Sequence, residues 1–469
     1  MAEFGVEKLR NVALLSHSGA GKTMIAEAML FAAGQTSRIG STDDGTTVSD
    51  YEPEEAKRTA SVQTSVIPVV TAGHKLNLLD TPGFADFRGD VVSALRVADG
   101  VVEVVSANSG VEVGTIQTWN MAGETGLPRL IFVNKMDREN ADFDRAMSSI
   151  TTAFGRECVA VNIPIGAEAS FSRVHDVLAA NPPAEVGDQV ASAYERLVEA
   201  VAESDDDLAT RYLEGEDLFT EDVSSGLKKA VASGDVIPVL FGSATKGAGI
   251  EELQDAIISL LPSPAAVEGA RGEEQGAADD KLAAFVFKTS ADPFVGKLSY
   301  FRVMAGTLKS DSQAWNAGAG EAERVGQVFV VTGKDTKTVP ALGPGDIGAV
   351  SKLNSVQTGH TLTVKDGPVT LAGTDFPAPV YHMAVRPTAK TDVDKLTSAL
   401  ARISEEDPTL TVGRQPDTGE LLIGGLGETH VVVAMEKMNR KFAVDVDLAV
   451  PKVAYKETVR SNSREEHKH

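Results

Sequence analysis

Four short polar segments stand in a fixed order along the chain, each directly after an apolar run. Ser16-His17-Ser18-Gly19-Ala20-Gly21-Lys22-Thr23 follows Val12 to Leu15, and Asp80-Thr81-Pro82-Gly83 follows Leu76 to Leu79. Asn134-Lys135-Met136-Asp137 follows Leu130 to Val133, and Gly242-Ser243-Ala244 follows Val236 to Phe241. Ligands in open α/β sheets sit at the carboxyl ends of the strands, so four such segments can meet only if the runs before them are near neighbours pointing the same way. Together with Val101 to Val105 and the helical stretches between the runs, this predicts a doubly wound, mostly parallel sheet over residues 11 to 262.

The residue types then define the chemistry. Gly19 and Gly21 let the backbone of Ser16, His17, Ser18 and Ala20 curl so that successive N–H groups point at phosphate oxygens, at the positive end of a helix that opens near Met24. Lys22 suits the β and γ phosphates and Thr23 a Mg²⁺ ion, although Ser16 stands where the strict P-loop pattern has its first glycine. Asp80 can hold Mg²⁺ through water, and the Gly83 N–H can meet the γ phosphate. The Asp137 carboxylate can accept both the N1–H and the 2-amino group of guanine, which adenine cannot offer in that geometry. Asn134 braces that loop, the Lys135 stem covers the base, and Ala244, beside Ser243, offers an N–H to guanine O6. GTP or GDP with Mg²⁺ is the expected cofactor. Taken singly, the first segment could be a glycine-rich turn and the second an ordinary turn; an unrelated P-loop ATPase would require the third to be accidental.

At 469 residues the chain is long enough for several domains. The gap between the third and fourth segments exceeds one strand and one helix, so an inserted subdomain is expected at about 167–233 within a GTPase domain of 1–262. Its acidic run Glu203 to Asp207 reads as a solvated helix junction. An Ala, Gly, Glu and Pro-rich linker covers 263–280, and short alternating strands such as Leu298 to Met304 point to an antiparallel β-barrel over 281–375. Residues 376–452 read as a ferredoxin-like split βαβ domain: strand Val380 to Val385, helix Asp392 to Ser404, a hairpin at Asp417 to Gly419, helix Gly427 to Arg440, and strand Phe442 to Val446. His430 reads as a packed residue at a helix start, and Lys437, Arg440 and Lys441 as a solvated helix end. No run reaches the roughly 18 to 20 apolar residues of a membrane span. A net charge of −23 argues against nonspecific nucleic-acid binding, and the lone Cys158 against a disulfide framework. The expectation is a cytoplasmic monomer acting without membrane or DNA.

With these residues in place, the chain resembles translation elongation factor G over essentially its whole length. Asp80 to Phe87 is similar to that family's D-T-P-G-H-V-D-F, and Asp292-Pro293-Phe294-Val295-Gly296 resembles its barrel signature. Glu405 to Pro408 and Gly424 to Glu428 match its third domain, while Val453 to Thr458 matches the segment leading into its fourth. The resemblance implies a GTP/GDP-cycling factor that contacts both ribosomal subunits near the factor-binding site. It also implies that 453–469 begins a next domain that the sequence lacks, so a fragment of a longer protein is expected. Three departures bear on turnover. Phe84 stands where the family has its water-orienting histidine, Gly19 replaces an aspartate of the phosphate loop, and Ser61 takes the place of the Mg²⁺-binding threonine. They suggest that nucleotide binding outlasts hydrolysis; the alternative is an active translocation GTPase.

Overall fold

The computed structural model describes residues 4–214, 218–270, 281–292, 296–388 and 393–468. Its chain forms two compact units, Met1–Pro377 and Ala378–His469.

The first unit opens with β1 (Leu9–Leu15), α1 (Lys22–Ala32), α2 (Pro53–Arg58), β2 (Ser65–Thr71), β3 (His74–Asp80), α3 (Arg88–Val97), β4 (Gly100–Ser106) and α4 (Val113–Glu124). It continues with β5 (Arg129–Asn134), α5 (Phe143–Phe154), β6 (Cys158–Ala160), β7 (Asn162–Ile165), β8 (Arg173–Asp176), α6 (Gly187–Glu203), α7 (Asp206–Leu213), α8 (Thr220–Ser233), β9 (Ile237–Phe241) and α9 (Ile250–Leu260). Seven strands form one sheet in the order β2-β3-β1-β4-β5-β9-β6, in which β2 runs against the rest. The apolar runs are its buried centre: every residue of β1 and β4 is shielded, as expected for strands covered on both faces. The edge strands carry weaker signals. Pro68 interrupts β2, which a central strand would not tolerate, and β6 has only three residues.

Because Cys158–Ala160 still pairs with β9, the insertion begins at Asn162, ahead of the expected position near Ala167. It consists of the β7–β8 hairpin and helices α6 to α8. The acidic run is a helix junction: the Asp205 carboxylate caps α7 by accepting from the Asp207 and Leu208 N–H groups, and it pairs with Lys229.

Residues 264–270 form a short helix, while 271–280, the rest of the expected linker, lie outside the described residues. The barrel region is an eight-stranded antiparallel sheet with Glu321–Val325 and Asp335–Val339 at its two ends, plus a two-stranded ribbon. Of the signature at 292–296, residues 293–295 lie outside the described residues; Leu298 to Met304 falls inside the strand Gly296–Ala305. This sheet does not stand apart from the nucleotide-domain sheet. Phe285, Phe287, Tyr300 and Phe329 share one apolar cluster with Leu15, Leu79, Val91 and Leu95 of β1, β3 and α3.

A polar network crosses the same boundary. Arg302 Nη1 lies 2.7 Å from Asp99 Oδ1, both side chains being 1% exposed, and Asn11 Nδ2 donates to Asp99 Oδ2 at 2.8 Å and to the Gly345 carbonyl at 2.8 Å. Lys75 Nζ meets Asp346 Oδ1 at 2.6 Å. Breaking a buried pair from one side strands the other charge. Asp99→Ala should therefore lower unfolding stability by about 3 to 5 kcal/mol in urea titrations. The double variant Asp99→Leu with Arg302→Met should recover most of that loss.

The second unit is a four-stranded antiparallel sheet in the order Thr411–Arg414, Leu421–Gly425, Tyr381–Pro387, Val446–Ala449, covered by helices Val393–Glu406 and Glu428–Phe442. This is the split βαβ order; Asp392, the expected first residue of the first helix, lies outside the described residues. The expected strand Phe442 to Val446 is a correction. Val431, Met435, Met438 and Phe442 continue one apolar helical stripe, so the second helix runs through Phe442. It stops at Ala443 (φ 53°), whose N–H bonds the Asn439 carbonyl, and the strand starts only at Val446. Lys441 is a second correction: its side chain is buried and its Nζ meets Glu406 Oε2 at 2.8 Å, so this helix end is not simply solvated. Residues 453–468 carry neither helix nor strand, and His469 lies outside the described residues.

His430 is buried at the helix start. Its Nδ1 accepts the Leu426 N–H at 3.0 Å, which leaves Nε2–H to donate to Asp407 Oδ2 at 2.7 Å. Burial by itself would raise the Asp407 pKa; the hydrogen bond from His430, with donors from Thr409, outweighs it and holds the carboxyl below its ordinary value. A carboxylate with a lowered folded pKa stabilises above its unfolded pKa, and that contribution is lost as pH falls through the folded value. Exchange protection of the Ile423 amide should therefore hold above about pH 4 and decline below it. An identical acid profile in Asp407→Asn would refute this account.

Candidate nucleotide-binding site

The four segments do converge at the carboxyl ends of β1, β3, β5 and β9. Gly19 (φ 84°) and Gly21 (φ 101°) both lie in the left-handed region, and a Cβ on Gly21 would come within 2.5 Å of Asn134 Nδ2. The third segment is thus packed on the first: Asn134 Nδ2 donates to the Ala20 carbonyl at 3.0 Å, and Lys135 Nζ to the Gly19 carbonyl at 2.5 Å. Asn134 Oδ1 in turn accepts the Ala244 N–H at 3.0 Å, which ties in the fourth segment. Ser243 Oγ donates to Asp137 Oδ1 at 2.6 Å, orienting a carboxylate whose other oxygen is approached by Thr245 at 3.4 Å. The second segment packs on the first through Gly83, where a Cβ would lie 2.6 Å from Ser18 N. Thr81 Oγ1 donates to the Leu14 carbonyl at 2.6 Å and fixes the turn.

Lys22 is buried and donates to the carbonyls of Ser16 (3.4 Å) and His17 (3.2 Å). Burial lowers its pKa, against the opposing charges of Asp80, Glu103 and Asp50. His17 turns its ring away from a free role: Nδ1 lies 2.9 Å from Thr115 Oγ1 and Nε2 3.0 Å from Glu112 Oε1, both on α4 or its cap. Its pKa is lowered, chiefly by burial, with Glu112 opposing. The His17 side chain is therefore engaged by α4 and its cap.

The residues expected to face a metal also meet. Thr23 Oγ1 donates to Asp80 Oδ2 at 2.8 Å and lies 3.2 Å from Ser61 Oγ. Asp80 has a raised pKa because it is fully enclosed, against the Thr23 hydrogen bond and the Lys22 charge. Sequence reasoning missed two residues here. Glu27 on α1 accepts the N–H groups of Gly40 (2.9 Å) and Val48 (2.6 Å), tying the loop before α2 to the phosphate-loop helix. Asp50, in that loop, is pushed up to about 7 by burial and then by the Asp80 charge, with the Ser61 hydroxyl and Lys22 opposing. Both lie outside the four segments, and only the contacts reveal them.

Phe84 follows Gly83 in extended backbone (φ −83°) and is 44% exposed. Its ring lines a cavity of about 620 Å³ between α3 and α4, together with residues 373–377.

A strand order of this kind, with a glycine-turned phosphate loop braced by a base-side Asn-Lys-x-Asp loop, defines a P-loop nucleotide-binding protein of the GTPase class. Residues 7–263 match the family described as Elongation factor Tu GTP binding domain, residues 281–365 match Elongation factor G domain 2, and residues 376–450 match Elongation Factor G, domain III. A crystal structure of a protein from Thermus thermophilus is 33% identical and superimposes with a TM-score of 0.86, covering 96% of this chain and 68% of that one. The chain belongs to the elongation factor G-like translational GTPases, and its GTPase domain is a guanine-nucleotide-binding domain.

Proposed function

We propose that this chain is a ribosome-associated GTP/GDP-binding factor whose ribosome-stimulated hydrolysis is weak or absent. The observation that carries the reading is Phe84, a half-exposed phenyl ring directly after the glycine that packs on the phosphate loop. A phenyl ring neither positions a water by hydrogen bonding nor handles a proton. The histidine of the phosphate loop, His17, is held by Glu112 and Thr115.

In this reading the backbone of residues 16–21, Lys22 and the Gly83 N–H hold the phosphates. Asp137, Asn134, Lys135, Ser243 and Ala244 hold guanine. The hydroxyls of Thr23 and Ser61 with the Asp80 carboxylate fit a hard divalent ion such as Mg²⁺, since all three are oxygen donors and Asp80 Oδ1 is buried without a hydrogen-bond partner. Mg²⁺ held there would supply charge neutralisation at the phosphates. Ser61 can coordinate as the threonine does, without the methyl group that restricts χ1. The factor acts as a cytoplasmic monomer at the ribosomal factor-binding site, touching both subunits, with no role for membrane or DNA.

The test is side-by-side measurement of nucleotide binding and single-turnover hydrolysis with ribosomes. Tight GTP binding with turnover far below that of an ordinary elongation factor G supports the proposal. Comparable turnover overturns it and favours an active translocation GTPase.

A further inference from the structure

The inserted subdomain reaches back to the base side of the pocket through one short turn. We propose that this turn, residues 166–171, positions the guanine-reading loops, with Glu168 and Lys246 as the positioning residues through which it acts on Asp137 and Ala244. The proposal rests on the reading of those two residues as partners of guanine and adds what holds them in place.

The turn links β7 to β8 and is fixed by its own bonds. Gly166 has φ 80°, and a Cβ there would collide with the Ser170 carbonyl. Ser170 Oγ accepts the Ala167 N–H at 3.1 Å and donates to the Ala167 carbonyl at 2.7 Å. Phe171 closes the turn with its N–H on the Glu168 carbonyl at 3.1 Å, and its side chain is buried in the apolar core of the nucleotide domain.

From this turn two lines of contact run to the base side. In the first, the Glu168 N–H donates to the Met136 carbonyl at 3.0 Å while the Met136 N–H donates to the Gly242 carbonyl at 3.1 Å. The residue before Asp137 is thus held between the turn and the fourth segment. Glu168 Oε1 also accepts the Asn140 N–H at 2.7 Å, a charge-assisted bond just beyond Asp137. Lys135 (φ 69°) and Asn140 (φ 64°), which bracket this stretch, both adopt the left-handed backbone that residues with a Cβ seldom hold without support. The second line runs through Lys246, whose Nζ donates to the Phe171 carbonyl at 2.7 Å and to that of Ala169 at 3.3 Å. Its N–H donates to Ser243 Oγ at 3.2 Å, and that hydroxyl donates to Asp137 Oδ1 at 2.6 Å. Both residues therefore act on the base through the loops that carry Asp137 and Ala244.

The full chain, freed of nucleotide, is titrated calorimetrically with GDP and with inosine diphosphate, which keeps N1–H and the 6-oxo group but lacks the 2-amino group. A displaced Asp137 carboxylate costs GDP two hydrogen bonds and inosine diphosphate one. Glu168→Ala and Lys246→Met should each weaken GDP binding about tenfold and inosine diphosphate binding only about threefold. Glu168→Gln and Lys246→Arg, which keep the acceptor and the donors, should stay within about twofold of the parent. An unchanged ratio of the two affinities in both Glu168→Ala and Lys246→Met overturns the proposal, as does a loss in Glu168→Gln equal to that in Glu168→Ala. Thermal melting guards against a purely structural effect: equal loss of both nucleotides with a lowered melting temperature means that the turn only supports the fold, and this too overturns it. A parent that binds the two nucleotides equally removes Asp137 as the reader of the 2-amino group, and the proposal with it. A parent that prefers GDP, with variants that keep that preference, removes the bracing alone.

Discussion

Phe84→His should raise ribosome-stimulated single-turnover GTP hydrolysis by about 10²- to 10⁴-fold while leaving GTP affinity within a factor of about two. The magnitude is that of a missing group that positions or deprotonates the attacking water. The separation of the two effects follows from where the residue sits. Position 84 has ordinary extended backbone, and its side chain is nearly half exposed, so an imidazole enters without disturbing a packed core. Binding should not change, because the residues proposed to meet base and phosphates lie in the loops braced by Asn134 and by Gly83 on Ser18. The preceding residue already brings the chain against the phosphate loop at Ser18, which sets position 84 beside that loop. Equal turnover in parent and variant would remove Phe84 as a limit on hydrolysis. It would then leave Ser61, and a looser hold on the ion, as the departure to examine.

How far the sequence announced this arrangement can be judged from particular residues. β1, β3, β4, β5 and β9 were legible because strands buried on both faces must be nearly all apolar, and the polar segments after them had one place to meet. That the segments of Lys22, Asn134 and Asp137 would meet was legible because each follows one of these strands. The edge strands β2 and β6 were not, since an edge tolerates Pro68 and a three-residue length. The end of the last helix was misplaced because Phe442 has high strand propensity, whereas the helical spacing from Val431 through Met438 decides in favour of helix. Asp50 and Glu27 could not be foreseen by any local pattern. Each matters through a partner far along the chain, and a single acid in a polar loop looks the same whether or not it faces another carboxylate. The buried network of Asp99, Arg302 and Asn11 belongs to this class too: Asn11 and Asp99 stand 88 residues apart, and Arg302 lies beyond the nucleotide domain.

Asp137→Asn should weaken GTP binding by about 10²- to 10³-fold, measured by calorimetry on nucleotide-free protein. The carboxylate is set by Ser243 Oγ at Oδ1 and flanked by Thr245 at Oδ2, an arrangement that leaves lone pairs on both oxygens directed to solvent or ligand. Guanine presents two donors, N1–H and the 2-amino group. An asparagine amide presents one acceptor and one donor, so one charge-assisted bond becomes neutral and the other becomes a contact between two donors. Each lost charge-assisted bond is worth about 1.5 to 3 kcal/mol, and the unpaired donor adds a desolvation cost. Xanthosine triphosphate reverses half of that mismatch, because its 2-oxo group accepts where guanine donates. Its affinity should rise in the variant as that of GTP falls, an exchange of preference that a merely unfolded loop cannot produce. Parallel loss of both nucleotides would mean that Asp137 holds the loop and does not read the base. Unchanged GTP binding would place base recognition elsewhere and reopen the reading in which the Asn134 to Asp137 segment is accidental.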